Sequence, residues 1–342
     1  MKKHLIAAAV AGAFAVPAMA QVTVYGRVDQ AYNTVKNTSG ATTNQKSTGI
    51  ASIAGGSRIG FRGEEDLGGG LKASFTFEYG LATDESTGIG TSRLEFLGLS
   101  GGFGSLTVGH QYTLTHSVQG AMDPNGNATA AGWGGGWNNT ARSEDTVIYT
   151  TPNLQGFTVS VSQALAGSET TTTTTTKAGD ATSVALAYTA GPLSLRAAQS
   201  TTKATALTLT RPGQTASTNL SDALENRKAQ SVGASYNLGV ATVYVLNNKA
   251  KAGSSADSGK SSANSFGLRV PLGAVTINAS VSSGKYTDSG AASVKLYGHL
   301  LGANYALSKR TAVYAFVGEA KDKTATNAGK HSTFAIGVGH NF

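Results

Sequence analysis

Arginines, aspartates and glutamates recur in this chain on the side of alternating segments opposite the aliphatic residues. Val22, Val24 and Val28 alternate with Arg27 and Asp29, Ile59 and Phe61 with Arg58 and Arg62, and Leu71, Ala73, Phe75, Phe77 and Tyr79 with Lys72 and Glu78. Leu193, Leu195 and Ala197 oppose Arg196, and Phe266, Leu268 and Val270 oppose Arg269. Guanidinium groups stay protonated at any physiological pH, so a face built from them is a permanent positive wall. Its chemistry is attraction and passage of ions, not bond breaking. A hydrolase would need a nucleophile, a base and an orienting group within reach of one another. His116-Ser117 is the adjacent His/Ser pair that most invites that reading, and no catalytic motif surrounds it. The histidines form no H-E-x-x-H, the chain has no Cys, and the glycine-rich Gly63 to Gly70 lacks the G-K-[ST] ending of a phosphate loop. No cofactor or metal is implied.

The elements that carry this pattern have a period of two. His331 to Phe342 sets Phe334, Ile336, Val338, His340 and Phe342 against Thr333, Ala335, Gly337, Gly339 and Asn341, which is a strand with one greasy and one small or polar face. Glycine is abundant (44) and proline scarce (6), which favours many strands joined by turns. Tight connections fall at Gly63–Gly70, Ser100–Gly104, Thr151–Gln155, Ala190–Pro192, Asn237–Gly239, Pro271–Gly273 and Ser308–Arg310. Longer segments alternate with them, near Lys36–Gly49, Leu81–Gly90, Thr113–Glu144, Leu165–Asp180, Thr201–Arg227, Ala250–Ser261, Gly284–Ala291 and Lys321–Lys330. The spacing predicts an all-β fold, a 16-stranded antiparallel transmembrane barrel with short turns on one rim and long loops on the other. A charge facing lipid at mid-bilayer costs roughly 2–4 kcal/mol, whereas a wet lumen tolerates it, so charges and aliphatics belong on opposite faces. Arg93–Leu99 and Leu300–Leu307 carry apolar residues on both faces, as a subunit contact or a bulge would. A soluble sandwich shows the same alternation, but the arginines sharing one face and the long hairpin series favour the barrel. No fixed repeat supports a solenoid.

Residues 1–20 read as an export signal: Lys2 and Lys3, an apolar run from Leu5 to Val16, then Ala18-Met19-Ala20 before Gln21. That run is shorter than the ~20 residues a spanning helix needs. The formal charge is +8, of which the two leader lysines supply part, and no nucleic-acid-binding motif accompanies it. The barrel is expected over 21–342. Within it, residues 113–144 are too long for a hairpin connection, and they hold both tryptophans, Trp133 and Trp137, around Gly134-Gly135-Gly136. Large anchors beside a flexible run predict a loop folded into the lumen, narrowing it. The Thr170–Thr176 tract reads as solvated surface.

Ser57–Gly80 (S-R-I-G-F-R-G-E-E-D-L-G-G-G-L-K-A-S-F-T-F-E-Y-G), Val22–Asp29 (V-T-V-Y-G-R-V-D), Leu307–Thr311 (L-S-K-R-T) and the terminal Phe342 closely resemble the general diffusion porins of Gram-negative β-proteobacteria. The resemblance implies a trimeric outer-membrane channel in which an inward loop constricts each pore and wall arginines face acidic groups on that loop. Carried over position by position, it implies Arg58, Arg93 and Arg142 as the arginines, Glu78 beside them, and Asp123 as the acidic group of the loop, with Glu144 or Asp145 as weaker candidates. It implies small hydrophilic solutes and anions as cargo, and outer-membrane lipids and lipopolysaccharide as surroundings. It also implies a C-terminal strand ending in Phe342 that the barrel-assembly machinery would engage. Two departures stand out: His110 where relatives often have Arg, and Ile148 at a lumen position that is commonly charged. The rival readings are a substrate-specific channel, which would show an aromatic slide in its lumen, and an outer-membrane hydrolase.

Overall fold

The computed structural model describes residues 21–39, 43–83, 88–125, 141–165, 169–171, 174–176, 180–203, 207–209, 218–220, 227–252, 259–287, 293–323 and 329–342. The first half of the chain gives β1 (Gln21–Ser39), β2 (Thr43–Ala51), β3 (Arg58–Gly68), β4 (Leu71–Ala82), β5 (Gly88–Gly101) and β6 (Gly104–Tyr112). Helix α1 (Leu114–Ala121) follows, then β7 (Arg142–Thr150), β8 (Phe157–Ala164) and a small hairpin of β9 (Glu169–Thr171) and β10 (Thr174–Thr176). Next come β11 (Ala181–Ala190), β12 (Leu193–Thr202) and a second small hairpin, β13 (Leu207–Leu209) with β14 (Thr218–Leu220). The second half continues with β15 (Arg227–Asn237), β16 (Thr242–Ala252), β17 (Lys260–Leu272), β18 (Val275–Thr287), β19 (Val294–Ala306), β20 (Thr311–Asp322) and β21 (Gly329–Asn341).

Apart from the two small hairpins, these strands form one antiparallel sheet that closes on itself. β1 pairs with β21 over Arg27↔Asn341 to Ser39↔Gly329, and its other edge pairs with both β2 and β3. β2 and β3 are therefore two halves of one stave, and the wall has sixteen staves. Closure removes every sheet edge, the only way a sheet satisfies its backbone polar groups in hydrocarbon. At the seam, Gly26 and Phe342 exchange backbone hydrogen bonds of 3.1 Å in both directions, and the Phe342 ring fills the space a Cβ at Gly26 would need.

Alternation sorts the two faces. On β15, Ser231 is 1% exposed and its neighbour Val232 is 53% exposed, because the first points into a lined interior and the second outward. Val24, Val245, Phe266, Val281, Leu301, Val317 and Ile336 continue the outward apolar belt. The seven tight turns expected from the sequence all join neighbouring staves on the rim that also holds the C-terminus. Two boundaries differ. All the described residues of Lys36–Gly49 are strand, since Lys36↔Lys46 and Val35↔Ser47 stay paired above the apolar belt. The Gly63–Gly70 turn shrinks to its last residues, because β3 runs on to Gly68, and Gly68, Gly69 and Gly70 take φ of +84°, +62° and +81°. Only glycine adopts three such values in a row at low cost.

The interior is not empty. α1 packs across β11, β12 and β15, where Leu114, Val118 and Met122 meet Ala198 and Leu246. Thr113 caps its first turn by accepting the His116 N–H at 3.2 Å. Met122 lies against Gly233 and Pro124 against Gly267, close enough that a Cβ at either glycine would collide. Gln119 Nε2 donates to Ser231 Oγ (3.1 Å) and Asn248 Oδ1 (3.2 Å), and Asn125 Nδ2 donates to Ser280 Oγ (2.9 Å). The described start of the long loop thus runs inside the barrel, along the wall from β11 to β18. The expected tryptophan anchors and the Gly134–Gly136 run lie outside the described residues.

Candidate functional site

Arg58 opens β3 and Glu78 lies near the loop-side end of β4. The register pairs Gly60 with Glu78 and Arg58 with Gly80, so across the β3–β4 pair each charged residue faces a glycine. Glu78 is buried, with Oε2 3.4 Å from Arg58 Nε and Oε1 2.7 Å from Arg93 Nε. One carboxylate therefore sits between two guanidinium groups.

Arg93 reaches that position by a route the alternation does not predict. Leu94 pairs with Glu78 and Phe96 with Thr76, so those two apolar residues share the inner parity, and they do not oppose Arg93 across the sheet. The register slips between Glu78 and Tyr79, where Arg93 is the extra residue of a bulge between Leu94 and Ser92. Such an insertion re-aims a side chain, and here it turns the guanidinium inward. Arg93 Nη2 then donates to the Tyr112 hydroxyl at 3.2 Å.

Tyr112 carries the array across to the long loop. The guanidinium carbon of Arg142, which opens β7 opposite Tyr112, lies 5.0 Å from the centroid of that ring, and the His116 ring stacks on it at 5.0 Å and 20°. The Arg142 Nε is buried and has no hydrogen-bond partner among the described residues. Burial lowers the His116 pKa, and the nearby Arg142 and Arg93 charges lower it further, so the imidazole is neutral at neutral pH. Three guanidinium groups against one carboxylate leave the array with an excess of positive charge.

Asp123 follows α1, is buried, and its Oδ1 accepts the Asn125 N–H at 2.9 Å, shaping the turn through Pro124. Glu144 and Asp145 are exposed at an irregular stretch of β7, where Asp145 has φ +46°. Ile148 keeps the inner parity through its pairing with Thr107, and it packs at the margin of the apolar cluster under α1. An apolar residue suits that position because α1 covers it. His110 pairs with Glu95 in the same run as Leu97↔Val108, which is the outer face of the wall, so it does not line the lumen.

A second inward segment escaped the sequence reading. Between β2 and β3 the chain leaves the wall over residues 52–57, and Ile53 and Ala54 pack on Ala31, Leu300, Tyr314, Phe316 and Ala335. Asp29, fully buried, holds it: Oδ2 accepts the Ile53 N–H at 2.6 Å and the Ala54 N–H at 2.8 Å, while Arg27 Nη2 is 3.2 Å from Oδ1. Charge-assisted bonds of this kind offset the cost of burying the carboxylate. The segment also sets Arg58, whose Nη1 donates to the Gly55 carbonyl at 2.9 Å. The available signal was Gly55-Gly56 interrupting an alternating run.

Known proteins agree with this architecture. A family described as Gram-negative porin matches residues 7–325. The outer membrane porin protein 32 of Delftia acidovorans is 32% identical over 357 aligned residues, covering 96% of this chain and 92% of that one. The major outer membrane protein P.IB of Neisseria lactamica is 40% identical over 121 residues, a stretch that spans only 35% of that relative. Among solved structures, an anion-selective porin from Comamonas acidovorans superposes with a TM-score of 0.77 at 26% identity, covering 94% of this chain and all of the other. The chain belongs to the Gram-negative porin family. It is an outer-membrane channel through which solutes diffuse passively along the barrel lumen.

Proposed function

We propose that this porin passes small hydrophilic solutes with a modest preference for anions, and that Arg58, Arg93 and Arg142 supply the preference while Glu78 moderates it. The observation that carries the reading is the one carboxylate between two guanidinium groups, with a third guanidinium beside them whose Nε is unpaired. Two unit charges 4 Å apart interact by about 1 kcal/mol in bulk water and about 4 kcal/mol at an effective dielectric of 20, so a narrow throat amplifies the pull on an anion. Screening over roughly 8 Å at 0.15 M salt keeps the effect modest. Asp123 is assigned to the opposite side of the constriction, at the end of the inward helix, and residues 113–144 to the constricting loop. The anion selectivity of the Comamonas relative fits the same assignment.

The channel is further proposed to be a homotrimer with no enzymatic role. Glu95 lies on the outer parity with Leu97 and Leu99, close to the Tyr79 hydroxyl, and His110 is its cross-strand partner. A carboxylate facing lipid is costly, so a second copy covering this face would relieve it. Lipopolysaccharide is the proposed lipid partner, and the Phe342-terminated strand the proposed signal to the assembly machinery. The selectivity test is planar-bilayer recording under a tenfold KCl gradient. The expected outcome is a reversal potential of anionic sign that moves toward zero in the Arg58→Ala/Arg93→Ala double variant; an unchanged potential in that variant places the selectivity elsewhere.

A further inference from the structure

Where the second stave changes from β2 to β3, one edge of β1 meets no partner strand among the described residues. The β1–β2 pairing ends at Ala31↔Ala51 and the β1–β3 pairing begins at Arg27↔Arg58, which leaves Asp29 at the centre of the gap. Its backbone groups still need partners. The Asp29 N–H donates to Ser57 Oγ at 2.9 Å and Ser57 Oγ donates to the Asp29 carbonyl at 3.0 Å, so one hydroxyl takes over both bonds of the missing ladder. The Ser57 N–H in turn donates to Ser52 Oγ at 2.7 Å, and the Ser57 carbonyl accepts the Leu81 N–H at 2.9 Å. The inward segment 52–57 is thereby pinched at its base and tied to β4.

The Asp29 side chain fixes the tip of that segment, since its Oδ2 takes the Ile53 and Ala54 N–H groups together, at 2.6 and 2.8 Å. Asp29 is 0% exposed, so it touches no permeating ion. What it controls is the direction of the next peptide group. Gly55 and Gly56 take φ of +90° and +77°, values open to glycine at low cost, and the Gly55 carbonyl accepts from Arg58 Nη1 at 2.9 Å. Arg58 is consequently shared between two acceptors. Its Nε stays 3.4 Å from Glu78 Oε2, whereas Arg93 Nε closes to 2.7 Å on the other oxygen of the same carboxylate. The Arg58 side chain keeps 29% exposure against 19% for Arg93, so it is the more open of the two to the lumen.

We propose that Asp29 is a positioning residue for ion selectivity: by clamping residues 52–57 inside the barrel, it makes the Gly55 carbonyl hold the Arg58 guanidinium back from Glu78 and open to the aqueous path. Released from the clamp, Arg58 closes on Glu78 toward the ~2.8 Å of an unstrained charge-assisted bond, and its guanidinium is drawn against the wall. Its field on a passing anion then weakens with distance, although no charge has been removed. A carboxylate out of reach of the ions thus raises anion preference, through the arginine it places. The inference rests on the reading of Arg58 as a selectivity residue, and it adds what holds that residue in place.

The test uses two variants that conserve charge, recorded as assembled channels in planar bilayers under a KCl gradient. Asp29→Glu lengthens the clamp by one methylene, and Ser52→Ala/Ser57→Ala removes the hydroxyls at the base of the segment. Each should lower the anion-to-cation permeability ratio about twofold at low salt. In an Arg58→Ala background neither should lower it further, because a residue that acts through Arg58 is silent once Arg58 is gone. An unchanged ratio in the variants, the same fall with and without Arg58, or a rise in conductance at constant ratio would each overturn the proposal; the last would make the segment a spacer only. Should Asp29→Glu not assemble, the serine variant decides the matter by itself. Arg58→Ala alone separates the two levels of the reading. If it leaves the ratio at the wild-type value, the selectivity assignment fails and this inference with it; if it lowers the ratio while the clamp variants do not, only the clamp is wrong.

Discussion

The inner and outer surfaces of this barrel both carry many cations, yet they use different ones. Arg27, Arg58, Arg62, Arg196, Arg227 and Arg269 all hold the inner parity, and a bulge brings Arg93 to the same side, whereas the exposed lysines at the loop-side ends of β15–β21 point outward. The physical difference between the side chains accounts for the division. A guanidinium is weakly hydrated, planar and able to hold a carboxylate together with a carbonyl, as Arg58 does, or with a phenol, as Arg93 does, so it can be fixed in a crowded lumen. An ammonium group is strongly hydrated and sits on a mobile stem, which suits a boundary where the charge must find its own depth. Among the described residues Arg27, Arg58 and Arg93 of the inner face lie against carboxylates, whereas the cross-strand neighbours Lys228, Lys251 and Lys260 of the outer face lie against one another.

The comparison can be broken most sharply by moving a lysine. Placed at the strand end, as Lys260 is, it should be close to neutral, and Lys260→Ala should change unfolding free energy by no more than about 0.5 kcal/mol. Placed on the same face at mid-height, by Phe266→Lys, it should cost about 2–4 kcal/mol in urea unfolding from lipid vesicles. Equal costs at the two heights would mean that the apolar belt has been drawn at the wrong level. A smaller effect is expected inside, where Glu78→Gln removes the carboxylate between Arg58 and Arg93. Anion preference should rise by an amount on the order of 1 kcal/mol at low salt and return to the wild-type value in molar KCl, since screening then acts within roughly 3 Å.

The smallest effect belongs to His116. Its folded pKa lies below the ordinary value of 6.5, so the ring is neutral at neutral pH, and the folded state binds fewer protons than the unfolded chain once pH falls below that value. The docking of α1 should therefore lose stability progressively as pH falls below 6.5, the loss levelling off only when pH passes beneath the depressed pKa. Protonation adds a further cation beside Arg93 and Arg142. Between pH 8 and 7 the reversal potential should be flat, with an anionic increase confined to acid, and His116→Gln should abolish that increase. A change centred at neutral pH would contradict the burial of this ring.

Much of the architecture was legible because alternation is a local property. Val22–Asp29, Leu71–Tyr79 and Phe266–Val270 announce which residues face lipid before any partner strand is known, and the glycine-rich turns mark where each hairpin closes. Arg58 and Glu78 were legible for the same reason. Arg93 reaches the inner side through a bulge that strict alternation does not predict, because a register slip depends on the partner strand and leaves no trace in the strand's own sequence. Tyr112 and His116 were missed as members of the site, since what makes them members is contact with Arg142 and Arg93 from different elements. The inward segment held by Asp29 was missed because its hydrogen bonds join residues 24 and 25 positions apart.

The amino-acid order alone determined that this chain makes a closed, two-faced sheet, since period-two patterning and turn chemistry act over a few residues. Only the tertiary structure decided which charges meet and which remain unpaired. A barrel brings side chains together by strand register and by segments folded across the lumen, and both are settled by contacts far apart in the chain. The glutamate between two arginines and the lysines that face one another across β15, β16 and β17 are consequences of that closure.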